Sequence, residues 1–558
     1  MGELEQVGSV VAGSLTKSLE VRLGPGKAAA MGHYLMAPLE DGTQLLGMVT
    51  DILLKSAESG PTSWPPVDDA DPAASLLREV LLDTAVYTIA EVSPYLEVTP
   101  GQAGGRARRL PRHFAPVSRA DQATLDAAFA VPDDAPALKL GSPLGMDTMV
   151  AHLDLERLLE RSAGIFGKSG TGKSVLAVLI LDAVVASSAA APTNRDRTVA
   201  LVFDMHNDYG RVMKFEGGER RSLKGLHPSS VAVFSLDPTP NGQDGTLRLG
   251  TRDISPDDLE VLQSLKDFSE QAIALARQLE ESVGRGWLDE VLEQEPSPAL
   301  VGRLWRGADQ PDEANWGAVA SRLGYQTTTL NALRRRLRDL VRKEFIEQGP
   351  GQFENTLEKI VQHLQGGMSV VIQFGRYGSD LTSYMLVANM LSRRIWEAYQ
   401  RAMDRAQGVH EKEPNRLVIV IEEAHKFVDK ALAGQSIFGQ IARELRKYNV
   451  TLFVIDQRPS QIDSEVLSQI GTKFCLQLDS EQDIDALVGG MAGRAGLRAV
   501  LATLESRQQA LAFGHALPMP VVVRTPDFRA DHRPGGSLRE RLGVEARPPV
   551  TPRDLFGP

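Results

Sequence analysis

The sequence predicts an α/β protein: a parallel sheet carrying a phosphate-binding loop, with a small β-barrel before it and a helical insertion within it. Three observations carry that reading. Glycine-punctuated alternating runs crowd the first hundred residues. After residue 141, short continuously apolar runs alternate with helical stretches. Between about 250 and 365 the strand-like runs stop.

Each element follows from its own residues. Residues 6–52 (VGSVVAGS, SLEVRLG, then HYLMAPLEDGTQLLGMVTDILL) alternate and turn as hairpins do, with Gly and Asp-Gly at the turns. A helical stretch near 75–85 and a further strand, AVYTIAEVSPYLEV, follow. Several short strands in about a hundred residues make a small barrel, assigned to 1–110. Residues 111–140 read as a linker. Core strands come next: SAGIFG, TVALVFDMH, MSVVIQF, RLVIVIEE, VTLFVID and TKFCLQL. Their unbroken apolar character is what a sheet buried on both faces demands, and the helices between them make it parallel. The core therefore falls into two parts, 141–249 and 366–530, with the insertion at 250–365. The Pro-, Gly- and Arg-rich tail, 531–558, is extended.

Composition narrows the class. The chain has 558 residues, 42% of them hydrophobic and 24% charged, enough for a large core without cross-links. The single cysteine, Cys475, excludes an intrachain disulfide and suits a reducing cytoplasm; within KFCLQL it reads as a core residue. The opening residues have neither a basic region nor a long apolar run, so they do not read as a secretory signal. Gln6 stands where a myristoylation motif needs Ser or Thr. The most apolar stretch, Val175 to Ala191, is interrupted by Asp182 and by serines, and reads as a buried helix, not a membrane span. A net charge of −11 argues against indiscriminate nucleic-acid binding but says little about a lined channel.

Two motifs carry the chemistry. Gly167–Ser174, GKSGTGKS, matches G-x-x-x-x-G-K-[ST] between a strand and a helix. Gly167, Gly170, Thr171, Gly172, Lys173, Ser174 and Val175 are the candidate nucleotide-binding residues. The glycines turn backbone N–H groups toward phosphates at a helix N-terminus. Lys173 is placed on the β- and γ-phosphates of ATP, and Ser174 on Mg²⁺. The second motif, LVIVIEEAH, ends an apolar strand in two acids. Phosphoryl transfer needs one carboxylate near the metal and one to orient water; Glu422 takes the first role and Glu423 the second. DMHNDYG closes another strand, so Asp204 or Asp208 lies beside the nucleotide, with Asp204 taken as the metal-side acid. In IARELRKYN, Arg443 and Arg446 share a helix face; an arginine there suits a neighbouring subunit's phosphate. Gln457, in DQRPS, suits sensing of the γ-phosphate or positioning of water.

GIFGKSGTGKS, VFDMHNDYG, VIEEAHKF, IARELRKYNVTLFVIDQRPSQID and the amino-terminal β segment together resemble the HerA family, hexameric DNA-translocating ATPases of the FtsK–HerA branch. The resemblance covers about 1–525. It implies an amino-terminal HAS-barrel, a RecA-like motor, a homo-hexamer with double-stranded DNA in its channel, and a NurA-type nuclease docked on the barrel face. Position by position, Lys173 and Ser174 match the phosphate-loop residues, Glu423 the catalytic acid, Arg446 the trans-acting arginine and Gln457 the sensor. Arg161 matches a second arginine that reaches a neighbour's site. The chain departs from the family at Leu445-Arg446-Lys447, where Gly-Arg-Lys is common, and at His206-Asn207-Asp208-Tyr209, where the family usually has His-Gly-Glu-Tyr and this chain the shorter acid.

For DNA contact two basic segments compete. In residues 334–343, RRRLRDLVRK, helical spacing puts Arg334, Arg335, Arg338 and Arg342 on one arc, and Arg211, Lys214, Arg220, Arg221 and Lys224 follow a core strand. The leading expectation is an ATP-driven translocase acting with a nuclease in DNA end resection and repair. The alternative is a ring scaffold of a phage-defence complex with a separate effector.

Overall fold

The computed structural model describes residues 5–525 apart from 57–85, 100–103, 133–134, 147–148, 211–212, 216–217, 221, 239–242, 307–314, 350–355, 431–435, 445–446, 492 and 506–508. The helix expected near 75–85 and the tail from 531 lie outside the described residues. The chain divides into two compact units. One comprises 1–176, 457–460 and 470–558, and the other 177–456 and 461–469.

In the first unit six antiparallel strands close a barrel. Their order is Leu19–Leu23, Gln6–Gly13, Pro116–Arg119, Tyr34–Pro38, Gln44–Ser56 and Val86–Val98, and the last pairs back onto the first. Alternate residues point inward, so Val7, Val10, Leu19, Val21, Leu35, Leu45, Val49, Ala90, Val92 and Val117 fill the interior. Register shifts at Leu46/Gly47 and Val49/Asp51 bend the strand Gln44–Ser56 around the barrel. At Gly47 a Cβ would come within 2.7 Å of the Ser93 carbonyl oxygen, so only glycine fits.

The barrel therefore runs past residue 110, which corrects the expected linker. Pro116–Arg119 is a barrel strand, Gln122–Ala128 is a helix capped by Asp121, and Ala137–Pro143 enters the second sheet. The strand was hidden because it is four residues long and starts with proline, a position where the missing N–H costs no ladder bond.

A second sheet in this unit runs Ala163–Phe166, Thr472–Cys475, Gln509–Gly514, Val521–Arg524, Ala137–Pro143, Ala151–Asp154. Only the first pair is parallel. Cys475 is fully buried there, and burial pushes its thiol up to about 12.

The other unit holds a wholly parallel sheet in the order Gly245–Thr246, Val231–Ser235, Ser369–Gln373, Thr198–Asp204, Arg416–Glu422, Val450–Asp456. Its central strands are buried along their length, as their unbroken apolar runs require. The helix Lys173–Ala190 is long and apolar enough to cross a membrane by length and composition, and 61% of it is buried within the protein. The acid that interrupts it, Asp182, is fully buried with His227 Nε2 at 2.6 Å.

Between the sheet strands, the described residues of 251–345 form a helical body around buried Trp287, Leu330, Leu333 and Leu337. Its two ends are tied by the parallel pair Leu249–Gly250 and Ile346–Glu347. The next helix, Thr356–Gln365, packs on Ser369–Gln373.

Candidate nucleotide site

The phosphate loop grows out of the strand Ala163–Phe166. It is anchored to the adjacent segment by Leu476 N–H donating to Phe166 O, and Lys168 N–H to Gln477 O, at 2.8 and 2.9 Å. Gly170 and Gly172 have φ of 79° and 102°, in the left-handed region that glycine occupies without penalty. Gly167 is needed for space: a Cβ there would lie 2.9 Å from Leu476 Cβ. Thr171 Oγ1 donates to Lys168 O at 2.8 Å. Lys173 Nζ folds back across the loop and donates to the carbonyls of Gly167 and Lys168 at 2.8 and 2.9 Å. Lys173 opens the helix, and Ser174 and Val175, half-buried, complete its first turn. The seven loop residues singled out from the sequence are thus together.

Arg161 is exposed and stands before the same strand, at the end opposite the loop. Four residues at about 3.3 Å each separate the two ends. Gln457 is half-buried directly after the strand Val450–Asp456. Arg446 lies outside the described residues. Arg443, in the helix Ile437–Glu444, is 3.6 Å from Glu465.

In the parallel sheet, five adjacent strands each end in a buried polar residue. In spatial order these are Ser235, Gln373, Asp204, Glu422 and Asp456. The pairing of Phe203 with Ile421 sets Asp204 beside Glu422. Asp204 is turned into its own loop. Its oxygens accept the backbone N–H groups of Asp208, Tyr209 and Gly210 at 2.6, 3.0 and 3.1 Å. Burial raises its pKa to about 6 against the pull of those three bonds.

Glu422 is held differently. The Tyr384 hydroxyl donates to its carbonyl at 2.9 Å and accepts its N–H at 3.2 Å, which pins the strand end. Tyr209 Oη donates to Oε1 at 3.3 Å. Oε2 is buried with no hydrogen-bond partner among the described residues. Burial first, then the charges of Asp204 and Asp208, push its pKa well above the carboxylate range. A buried acid facing other acids with one orphaned oxygen is short of positive charge. A divalent cation with oxygen ligands would supply it. Among the described residues no three His, Cys, Asp or Glu side chains could hold a metal ion by themselves. Mg²⁺ sites need no such cluster, because Mg²⁺ keeps water and substrate phosphates among its ligands and takes one or two carboxylates from the protein.

Glu423 follows in a left-handed conformation, φ 52° and ψ 46°, rare for a non-glycine residue. His425 sits beside it, 3.6 Å from Nδ1 to Glu423 Oε2, and is bound to Asp456. Sequence reasoning passed over Tyr209, Tyr384, His425 and Asp456. The available signal was that each apolar strand run ends in a polar residue, including VTLFVID; nothing local marks the tyrosines.

Of the basic segments, Arg335, Arg338 and Arg342 lie exposed on the helix Thr327–Val341 and its C-terminal cap. Arg334 does not join them. Its Nε donates to Val291 O at 2.8 Å, and its guanidinium lies over Trp316. Lys224 is held by Asp244 and by the carbonyls of Pro228 and Val231. The side chains of Arg211, Lys214, Arg220 and Arg221 lie outside the described residues.

Residues 138–395 match the family model described as the central domain of helicase HerA. The chain is a P-loop NTPase related to the HerA family. The DNA double-strand break repair helicase HerA of Pyrococcus furiosus is 28% identical over 148 residues, 25% of either chain. The match thus spans a quarter of that relative's length. The probable helicase MJ1565 of Methanocaldococcus jannaschii is 21% identical over 528 residues, 91% of this chain and 88% of that one. Among solved structures, the bacterial conjugative coupling protein TrwBdeltaN70 superposes with a TM-score of 0.46 at 13% identity, covering 75% of this chain and 94% of that chain.

Proposed function

We propose that this HerA-related chain is an ATP-hydrolysing motor. It assembles as a homo-hexameric ring in the cytoplasm, drives double-stranded DNA through the ring channel, and works with a NurA-type nuclease in DNA end resection and repair. The observation that carries this reading is the orphaned, buried oxygen of Glu422 among acids, in a chain whose phosphate loop has the backbone that triphosphate binding needs. In this reading Lys173 meets the β- and γ-phosphates of ATP, and Ser174 and Glu422 hold Mg²⁺, with Asp204 ordering the loop beside them. When bound, Mg²⁺ would neutralise charge on the transferring phosphoryl group. Glu423 orients the attacking water and Gln457 senses the γ-phosphate. Arg446 and Arg161 serve the neighbouring subunit's site. The exposed position of Arg161, at the strand end away from its own loop, supports that assignment.

A mixing experiment tests ring and chemistry together. Arg446→Ala should bind ATP and assemble but lose turnover by about 10³-fold or more, the scale of a trans-acting arginine. Rings combining Lys173→Ala chains with Arg446→Ala chains should regain turnover, because an intact loop then meets an intact arginine from next door. Mass spectrometry of tagged chains must show subunit exchange. With exchange shown, a rate no higher than either parent removes the trans assignment.

For DNA, the exposed face of Arg335, Arg338 and Arg342 is the proposed phosphate contact. Replacing all three with Ala should lower the slope of log affinity against log salt by about three. An unchanged slope excludes that face.

A further inference from the structure

His425 and Asp456 have no part in the assignments above, yet they are built tightly around Glu423. The strands Arg416–Glu422 and Val450–Asp456 pair with Glu422 opposite Ile455, so the residues that follow them, Glu423 and Asp456, are neighbours at the same sheet end. Directly after Glu423 a 3₁₀ turn over Ala424–Lys426 reverses the chain, closed by Lys426 N–H donating to Glu423 O at 2.9 Å. That turn folds His425 back over Asp456. The carboxylate of Asp456, fully buried, accepts the His425 backbone N–H at 2.7 Å. The imidazole Nδ1 lies 3.1 and 3.0 Å from its two oxygens. Only a protonated Nδ1 can serve a carboxylate at that distance, so the tautomer and the ring plane are fixed together.

A turn cap would need only the backbone bond. The second engagement, through the ring, does something the cap does not: it holds the imidazole edge 3.6 Å from Glu423 Oε2. Both side chains are largely enclosed, at 15% and 14% exposure, so neither is free to swing into solvent. The distance is just beyond a hydrogen bond. The imidazole therefore limits where the Glu423 carboxylate can go without tying it up.

We propose that His425, held by Asp456, is a positioning residue for Glu423, setting the carboxylate in the place from which it orients the attacking water. This rests on the reading of Glu423 as the water-orienting acid. It also links that acid to the strand whose end delivers Gln457, since Asp456 and Gln457 are consecutive.

The test is steady-state ATP hydrolysis by the full-length protein and by His425→Ala, His425→Asn, Asp456→Asn and the double variant His425→Ala/Asp456→Asn, with Glu423→Gln as reference. Melting temperature and assembly size should match wild type in each. His425→Ala should lose about 10²-fold in kcat with KM for ATP within about twofold, the pattern of a misplaced catalytic group. His425→Asn should recover part of the loss, because its amide can still donate to Asp456. The double variant should be no slower than His425→Ala, as expected of two residues acting in one chain of contacts.

A kcat unchanged or raised in His425→Ala overturns the proposal while leaving the hydrolase reading intact. So does a loss carried wholly by KM, or a double variant in which the two losses multiply. If His425→Ala fails to fold, the Asn and Asp456→Asn variants decide by the same criteria. No hydrolysis by the wild-type protein overturns both readings at once.

Discussion

The phosphate loop and the acidic strand ends both hold polar groups against an apolar sheet, and they do so by opposite means. The loop uses eight consecutive residues and mostly backbone. Two left-handed glycines and one glycine against Leu476 shape it, and the Lys173 ammonium donates to the loop carbonyls of Gly167 and Lys168. The acidic end uses side chains drawn from far along the chain: Asp204, Tyr209, Gln373, Tyr384, Glu422 and Asp456 meet through strand register. In the loop, a backbone conformation is specified by residue type at fixed spacing. In the strand ends, burial and long-range pairing set the chemistry.

The largest effects should separate the two regions by the step they disturb. Lys173→Ala removes the charge proposed for the β/γ-phosphates, and should weaken nucleotide binding and abolish turnover together. Glu423→Gln keeps shape and burial and should leave ATP bound while turnover falls by several orders of magnitude, because only the water-orienting function is lost. Equilibrium binding of a fluorescent ATP analogue beside single-turnover hydrolysis distinguishes them. If Glu423→Gln is nearly silent and Glu422→Gln is the severe change, the roles of the two acids are reversed.

That contrast also explains what could be read from the sequence. The loop motif was legible, since its glycines, lysine and serine stand at fixed local spacing, although Gly167 also answers to the distant Leu476. The parallel sheet was legible because each strand is an unbroken apolar run bounded by helices, and the barrel because its strands alternate. The barrel strand Pro116–Arg119 was not, being too short to show a period. At the strand ends, Glu422 and Glu423 announced themselves as consecutive acids. Tyr384 did not: it lies in a helix of 26 residues with most of its first half buried, where a tyrosine looks like any other core aromatic. Its function depends on one hydroxyl meeting the backbone of a residue 38 positions away. His425 sat inside a quoted motif but gained meaning only from Asp456, on the next strand. Asp204 was taken for a metal-side acid on its place alone, and the structure shows its oxygens engaged by three backbone N–H groups.

The smallest predicted effect sharpens the comparison inside the loop itself. Gly170 and Gly167 are both glycines of one motif, but for different reasons. Gly170 has φ of 79°, and a Cβ there would meet nothing within 4 Å. Gly167 does not require the left-handed region, yet its Cβ would press on Leu476 Cβ at 2.9 Å and on Thr171 Oγ1 at 3.0 Å. Gly170→Ala therefore isolates backbone conformation and should cost about 1 kcal/mol of stability, the usual penalty for an L-residue held left-handed. Gly167→Ala adds a packing clash in a buried position and should cost more, about 1–3 kcal/mol, the range for forcing extra atoms into a packed site. Urea unfolding without nucleotide measures both, with equal slopes required for the comparison to hold. Gly170→Ala should be the milder of the two in stability. If it proves the more destabilising, the open space around residue 170 is not the state the loop occupies in solution, and the loop closes on itself when no phosphate is there.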